Sequence, residues 1–334
     1  MGRKNKNAPP PVDDPNLQNT TAFRILERKL KRKGALDQSL FEILTDYQEI
    51  LIFNDIKKAY KFANYPGLYL IKNAIPVELQ KKIIVSCLKD WTQPPNVSNL
   101  DSHFQLDPKG IWNLYVEHKD DLENAPVTVQ NMIVPKLIDP VSSLIIDAPV
   151  DNMLKQEDEL IVKVLHRMRW STLGHQYNWT KKEYHFDRVP PFPKFMSDVS
   201  YDIVQAVQPL TGYSADKWKP EAGIINFYQP GDTLTAHQDR SEINTEAPLL
   251  SLCFGLDCGF LFGTEDRGDK PMAVRLESGD IIIMSNQARR AFHGVPRIIE
   301  DSLPDYLKAG DDDWKVYADY LQHTRINLNI RQVY

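Results

Sequence analysis

Three cysteines in 334 residues are too few, and odd in number, for a disulfide scaffold. Cys87, Cys253 and Cys258 include no Cys-x-x-Cys pair, which argues against a thiolate zinc site. Their sparseness suits a reducing compartment, so an intracellular protein is expected. No apolar run approaches the ~20 residues that a membrane helix needs, and the strongest, Ile281-Ile282-Ile283-Met284, is strand-sized. The start, Met1 to Val12, is basic and then proline-rich, without the apolar stretch of a secretory signal. No internal repeat is visible. Apolar residues make up 42% of the chain and charged residues 25%, values that exclude disorder of the whole.

Charge is unevenly spread. Residues 1–33 hold nine Lys/Arg against Asp13, Asp14 and Glu27, a net +6. The chain as a whole carries -5, so residues 34–334 carry -11. An acidic body with a basic arm is compatible with a polyanion met through the arm, or with a solubilising or targeting tail.

Within the arm, residues 21–33 read as a helix with Phe23, Leu26 and Leu30 on one stripe, ended by Gly34. A strand is expected over 66–73, after Tyr65-Pro66-Gly67. Pro76 then opens a helix that buries Val77, Ile83, Ile84 and Leu88. Residues 92–160 are loop-rich and weakly patterned. From Gly223 the chain changes character. Short apolar or alternating runs (223–229, 233–237, 249–255, 258–263, 272–277, 281–284) sit between Pro-Gly-Asp and Ser-Gly-Asp turns, the spacing of a β-sandwich or jelly roll. The last ten residues alternate strictly and predict a closing strand.

The pattern His-x-Asp occurs three times, as His118/Asp120, His185/Asp187 and His237/Asp239. Context separates them. His118 lies in a charged run and His185 just before Val189-Pro190-Pro191, whereas His237 ends the alternating strand Thr233–His237. On a strand, positions i and i+2 face one way, so His237 and Asp239 can both point inward. His293 follows the Ile281–Met284 strand and can supply a second histidine. Two histidines and a carboxylate form the facial triad of non-haem Fe(II) oxygenases, with open positions for a cosubstrate and O2. The same residues, taken alone, also suit ordinary polar groups satisfied in a core.

The closing strand adds a second constellation. Period 2 puts Arg325, Asn327, Asn329 and Arg331 on one face and Ile326, Leu328 and Ile330 on the other. Two arginines six residues apart stand roughly 20 Å apart along a strand and can reach inward to hold one carboxylate each. A five-carbon diacid, 2-oxoglutarate, fits that description. Asn226 and Tyr228, on the strand before His237, would add neutral hydrogen bonds.

With these residues the sequence resembles the AlkB family of Fe(II)/2-oxoglutarate dioxygenases. Asn226-x-Tyr228, His237-x-Asp239, His293 at 56 residues' spacing, and Arg325-x-Asn327-x-x-x-Arg331 match the family's signature. Tyr65-Pro66-Gly67, residues 95–101, Tyr177-Asn178-Trp179, His237 to Glu242 and Arg331-Gln332-Val333 place it closest to the eukaryotic AlkB homologue-one branch. The likeness covers about residues 60–334. It implies that His237, Asp239 and His293 hold Fe(II). It implies that Arg325 binds the distal carboxylate of 2-oxoglutarate, that Arg331 and Asn226 bind the end near iron, and that Tyr228 and Asn327 complete the pocket. Trp170, Tyr177 and Trp179 match the aromatic segment that contacts an extruded base, and Arg267 a substrate-contacting arginine. Ser241 stands where the bacterial pattern has a base-contacting aspartate. The acidic stretch 299–323 is longer than the bacterial connection, and Trp314 to Leu321 within it reads as helical.

The expected fold is mainly β with flanking helices around a double-stranded β-helix (jelly-roll) core. Its expected divisions are 1–60 (basic tail and helix), 61–195 (extension and nucleotide-recognition lid) and 196–334 (dioxygenase core). The expected activity is oxidative demethylation of an N-methylated base, methyladenine favoured, in DNA or tRNA, using Fe(II), 2-oxoglutarate and O2. A monomer acting on nucleic acid and not on membranes is expected. The alternatives are a same-fold oxygenase acting on histone or other protein, an abasic-site lyase, and a non-catalytic nucleic-acid-binding protein.

Overall fold

The computed structural model describes residues 20–102, 104–105, 108–120, 134–138, 145–147, 160–178, 183–185 and 189–334. Helix α1 (Ala22–Leu30) is capped by Thr21, whose hydroxyl accepts from Arg24 N–H at 3.3 Å. A meander follows: β1 (Tyr47–Ile52), β2 (Asp55–Lys61) and β3 (Leu68–Ile71). Next come α2 (Val77–Val85), β4 (Phe104–Gln105), α3 (Gly110–His118), β5 (Val134–Ile138), β6 (Ile145–Asp147) and α4 (Ile161–Leu165). Strand β7 (Trp170–Gly174) leads to the hairpin β8 (Tyr177–Asn178) and β9 (Glu183–Tyr184), and then to the long α5 (Lys194–Thr211). The remainder is β10 (Ala222–Tyr228), β11 (Leu234–His237), β12 (Leu249–Gly255), β13 (Cys258–Phe262), β14 (Met272–Leu276), β15 (Ile281–Met284), β16 (His293–Ile298), α6 (Asp305–Lys308), α7 (Asp312–Leu321) and β17 (Arg325–Arg331).

Two antiparallel sheets enclose the core. The larger runs β1-β2-β3-β15-β12-β17-β10-β7 and the smaller β11-β16-β13-β14. Side chains of both, such as Tyr228 and Cys253 from the larger and Phe260 and Phe262 from the smaller, belong to one buried cluster. This is the jelly-roll expected from the run of short strands, and each of the six runs between 223 and 284 forms a strand. The last strand in sequence is central in space, because β17 lies between β12 and β10. Ile326, Leu328 and Ile330 are fully buried on one of its faces, and Arg325 and Arg331 are buried on the other, so the polar face is also turned inward rather than to solvent. The chain end is pinned as well. Val333 is buried, its N–H donates to Glu221 Oε2, and its carbonyl accepts from Ile243 and Asn244.

Elsewhere the structure departs from expectation. Helix α1 ends at Leu30 rather than at Lys33, because the Arg297 guanidinium takes the carbonyls of Arg32 and Gly34, at 2.7 Å each. Phe23 and Leu30 dock α1 on Leu261 and Ala273 of the smaller sheet. The region 92–160 contains α3, whose Ile111, Trp112 and Leu114 are buried. Helix α5 covers 18 residues with Met196, Val199, Ile203, Val204 and Val207 buried at helical spacing. Its last turn meets the larger sheet, where Tyr69 Oη donates to Leu210 O at 2.7 Å.

Candidate metal and diacid site

The polar face of β17 and the turn after β11 build one site. Strand β11 ends at His237, so Asp239 belongs to an irregular segment and strand alternation does not place it. The two side chains converge all the same. His237 Nε2 lies 3.9 Å from Asp239 Oδ1, and His293 Nε2 lies 3.7 Å from Asp239 Oδ2. His293 opens β16 directly opposite His237 in the ladder, and the two imidazole centroids are 4.3 Å apart. Among the described residues these three form the only His/Cys/Asp/Glu group with metal-ligand spacing. His118 ends α3 apart from it, His185 follows β9, and Asp187 lies outside the described residues.

Both imidazoles are fixed in the tautomer that a metal needs. His237 Nδ1 donates to Thr235 O at 3.0 Å, and His293 Nδ1 donates to Ala291 O at 3.1 Å. A carbonyl can only accept, so each Nδ1 carries a proton and each Nε2 is the nitrogen left facing the carboxylate, free to act as a metal ligand when unprotonated. Burial pushes the His293 pKa down to about 4, with His237 adding to the shift, so this imidazole is neutral at neutral pH. For Asp239, burial acts to raise the pKa. Arg331, the largest opposing influence, overcomes it and holds the carboxyl well below the usual range. The His237 side chain is 35% exposed against 9% for His293, so the triad opens to solvent on the His237 side.

Of the two arginines on the polar face of β17, Arg331 adjoins the triad and Arg325 stands at the other end of the row. Arg331 Nη2 lies 3.0 Å from Asp239 Oδ2, and its Nη1 donates to Glu242 Oε1 at 3.1 Å and to Tyr184 Oη at 3.2 Å. Arg325, 1% exposed, donates from Nη1 to Leu256 O at 3.0 Å and from Nη2 to Cys253 Sγ at 2.9 Å. In each guanidinium the Nε–H is buried with no acceptor among the described residues. Two orphaned donors at the two ends of one polar row fit a ligand with a carboxylate at each end.

The strand register places the remaining pocket residues. Tyr228 lies opposite Arg325, and Asn226 opposite Asn327 on one side and Trp170 of β7 on the other. Cross-strand partners share a face, so these side chains lie on the polar face that carries Arg325 and Arg331. Asn327 donates to Ser251 Oγ at 2.8 Å and accepts from Asn329 Nδ2 at 3.0 Å. Arg267 sits at the rim, donating to Ala236 O at 2.7 Å, with its guanidinium 4.9 Å from the centroid of Phe292. Tyr177 Oη and Ser241 Oγ are 2.9 Å apart, so Ser241 is joined to the aromatic hairpin. Trp179 lies outside the described residues.

Sequence reasoning missed Tyr184, Arg289 and the buried role of Glu242. Glu242 is 5% exposed and accepts from Tyr184 Oη at 2.7 Å and from Arg289 Nη2 at 2.8 Å. Arg289 Nη1 also donates to the Asp239 carbonyl at 3.2 Å. No local pattern announces these bonds, which join segments 47 to 147 residues apart. A cavity of ≈ 270 Å³ adjoins the triad. It is lined by Asp239, Glu242 and Arg289 within and by the exposed Arg240, Glu265 and Arg290 outside.

Comparison with known proteins gives concordant results. The profile of the 2OG-Fe(II) oxygenase superfamily matches residues 149–331. The tRNA demethylase abh1 of Schizosaccharomyces pombe is 37% identical over 95% of this chain and 97% of its own length. The nucleic acid dioxygenase ALKBH1 of Mus musculus is 33% identical over 83% of this chain and 66% of its own. The DNA N(6)-methyladenine demethylase ALKBH1A of Arabidopsis thaliana is 26% identical over 99% of this chain and 90% of its own.

Proposed function

Because this chain belongs to the 2OG-Fe(II) oxygenase superfamily, and within it to the AlkB-like branch that includes abh1 and ALKBH1, we propose that it demethylates N-methylated adenine in nucleic acid. The observation that carries this reading is the His237–Asp239–His293 triad, open to solvent on the His237 side, on one polar face with two guanidinium groups whose Nε donors are orphaned. Two of the relatives are named for tRNA and for N6-methyladenine in DNA, which supports adenine and leaves both polymers as substrates to test.

The roles follow from position. His237, Asp239 and His293 would hold Fe(II) through two imidazole Nε2 atoms and one carboxylate. Bound there, Fe(II) supplies the activation of O2 that oxidises 2-oxoglutarate to succinate and CO2 and hydroxylates an N-methyl group, which is then lost as formaldehyde. Arg325 would take the distal carboxylate of 2-oxoglutarate, and Arg331 with Asn226 the end near the metal. Tyr228 and Asn327 would close the pocket beside them. Trp170, half-buried opposite Asn226, and Tyr177, above Ser241, would stack against an extruded base; Arg267 at the rim would contact the strand that carries it.

Mass spectrometry of nucleosides tests the reading directly. Native tRNA and genomic DNA are incubated with Fe(II), 2-oxoglutarate and either the wild-type protein or His237→Ala. Loss of N1-methyladenine or N6-methyladenine with wild type alone is the expected result. Unchanged methylated adenine in both polymers, with succinate still formed, would remove adenine demethylation and return the oxygenase to another methylated base or a protein substrate.

A further inference from the structure

The hairpin that carries Tyr177 is tied to the arginine that flanks the metal site, and the tie is Tyr184. Its ring is 3% exposed and packs edge-on against Tyr177, its partner across the hairpin, at 5.1 Å between centroids. Its hydroxyl does two things. It donates to Glu242 Oε1 at 2.7 Å and accepts from Arg331 Nη1 at 3.2 Å. Glu242 accepts from Arg331 on the same oxygen and from Arg289 on the other. Arg331 in turn reaches Asp239 Oδ2 at 3.0 Å. The path from β9 to the metal ligand is therefore three consecutive polar contacts, all between buried or nearly buried groups.

We propose that Tyr184 and Glu242 are positioning residues that couple the β8–β9 hairpin to the capture of 2-oxoglutarate by Arg331. The inference rests on the clamp role of Arg331 set out above. The charges favour it. Asp239 and Glu242 face Arg331 and Arg289, two anions against two cations, which leaves the cluster neutral. A divalent metal and a dianionic diacid add equal and opposite charge, so loading can use the orphaned Arg331 Nε without dismantling the pairs already made. A carboxylate on that Nε fixes the guanidinium, and the Nη1–H then holds the Tyr184 hydroxyl, and with it the strand beside Tyr177, in one place. Binding in the diacid pocket thereby orders the wall against which a base would stack, and by reciprocity an occupied wall favours the diacid.

Hydrogen exchange of the full-length protein, with Mn(II) in place of iron to prevent turnover, tests this without any nucleic acid. Saturating 2-oxoglutarate should slow exchange of the β8 and β9 amides of wild type by about fivefold or more, the lower edge of ordinary coupling. Tyr184→Phe keeps the ring and removes the hydroxyl. It should bind 2-oxoglutarate and show less than about a twofold change at the same amides. Glu242→Asp, which keeps the charge on a shorter arm, is the second variant and should lose the same ligand-dependent protection. Tyr177→Phe breaks the bond to Ser241 and leaves the relay whole, so its protection should persist. In the succinate-release assay Tyr184→Phe should raise KM for 2-oxoglutarate about fivefold and move kcat less. Wild type whose hairpin exchange ignores 2-oxoglutarate, or a Tyr184→Phe protein protected as fully as wild type, would overturn the coupling and leave the demethylase reading standing. Failure of wild type to bind 2-oxoglutarate at all would overturn both.

Discussion

Arg331 Nη2 stands 3.0 Å from Asp239 Oδ2, so the guanidinium proposed to take one end of the diacid adjoins a candidate metal ligand. The pairing explains how a buried carboxyl stays ionised. Burial alone would protonate Asp239; the Arg331 cation beside it is the largest influence that reverses the effect. The carboxylate that a metal requires is thus in place before the metal arrives, and the cation that holds it is the one required next.

Asp239→Ala should abolish stoichiometric Fe(II) binding and succinate formation while the fold persists. Arg331 keeps Glu242 and Tyr184 in the variant, so its charge is not stranded. The stability loss should therefore stay below the ~3–5 kcal/mol of a broken buried pair. Metal content after desalting and a thermal melt check both halves. Full iron-dependent turnover by Asp239→Ala would remove the triad assignment.

Arg325→Ala should cost 2-oxoglutarate affinity more than it costs fold, since the lost cation is the one proposed for the distal carboxylate. Arg331→Ala should do the same and also loosen Asp239. A truncation after Ile330 is a blunter probe than strand logic suggests. It removes Val333 as well, which is buried and held through Glu221, Ile243 and Asn244, so it should lower the melting temperature further than Arg331→Ala. Calorimetric titration of 2-oxoglutarate into each protein, beside its melt, separates binding from folding. Tight 2-oxoglutarate binding by both point variants would return β17 to a purely structural role.

The parts of this site that the sequence reveals are those carried by strict period-2 runs. Arg325, Asn327 and Arg331 share a face because β17 alternates without interruption, and the short strands from 222 to 284 each sit between turn residues. The hairpin β1–β2 escapes notice because its turn uses Phe53 and Asn54 at φ 50° and 62°, where a glycine would have announced it. Helix α5 begins after a proline-rich stretch with no side-chain cap, and Pro209 in its last turn disguises its end. The Tyr184–Glu242–Arg331–Asp239 path has no local signature at all, because each contact is made across the fold. His237-x-Asp239 is legible for a partly mistaken reason: the strand stops at the histidine, and the following irregular segment, not alternation, brings the carboxylate in.

The basic helix should add affinity for nucleic acid rather than choice of base, and the packing of α1 dictates how to test it. Deleting residues 1–34 would uncover Leu261 and Ala273, which Phe23 and Leu30 cover. Neutralising Arg28, Lys29, Arg32 and Lys33 is cleaner, because these are exposed, whereas Arg24 and Lys31 are paired with Glu27. If all four meet phosphates of a single strand, the slope of log K against log[salt] should flatten by about 3 at most. Discrimination between methylated and unmethylated adenine should not change. An unchanged slope would assign α1 to packing alone.

The three cysteines should be inert in the native protein, and their burial sets a pH dependence of known sign. Each thiol is fully buried, and burial raises the pKa of all three. For Cys258 burial is the largest effect, Arg325 opposes it, and the value is pushed from 9.0 up to about 12. The unfolded chain releases this proton near 9.0 and the folded chain keeps it to about 12. Between those limits the folded state binds more protons, so stability is fully present below the lower limit and falls as pH rises. The slope from one such thiol is at most ~1.4 kcal/mol per pH unit. A disulfide reagent at pH 8 should find no thiol in native protein and three after unfolding in guanidinium. Urea midpoints at pH 8 and pH 10 should fall less for Cys258→Ala than for wild type, although the variant starts lower from its cavity. Parallel losses in the two proteins would place the alkaline transition on another group, and a thiol modified in the folded state would show that the strands around Arg325 open.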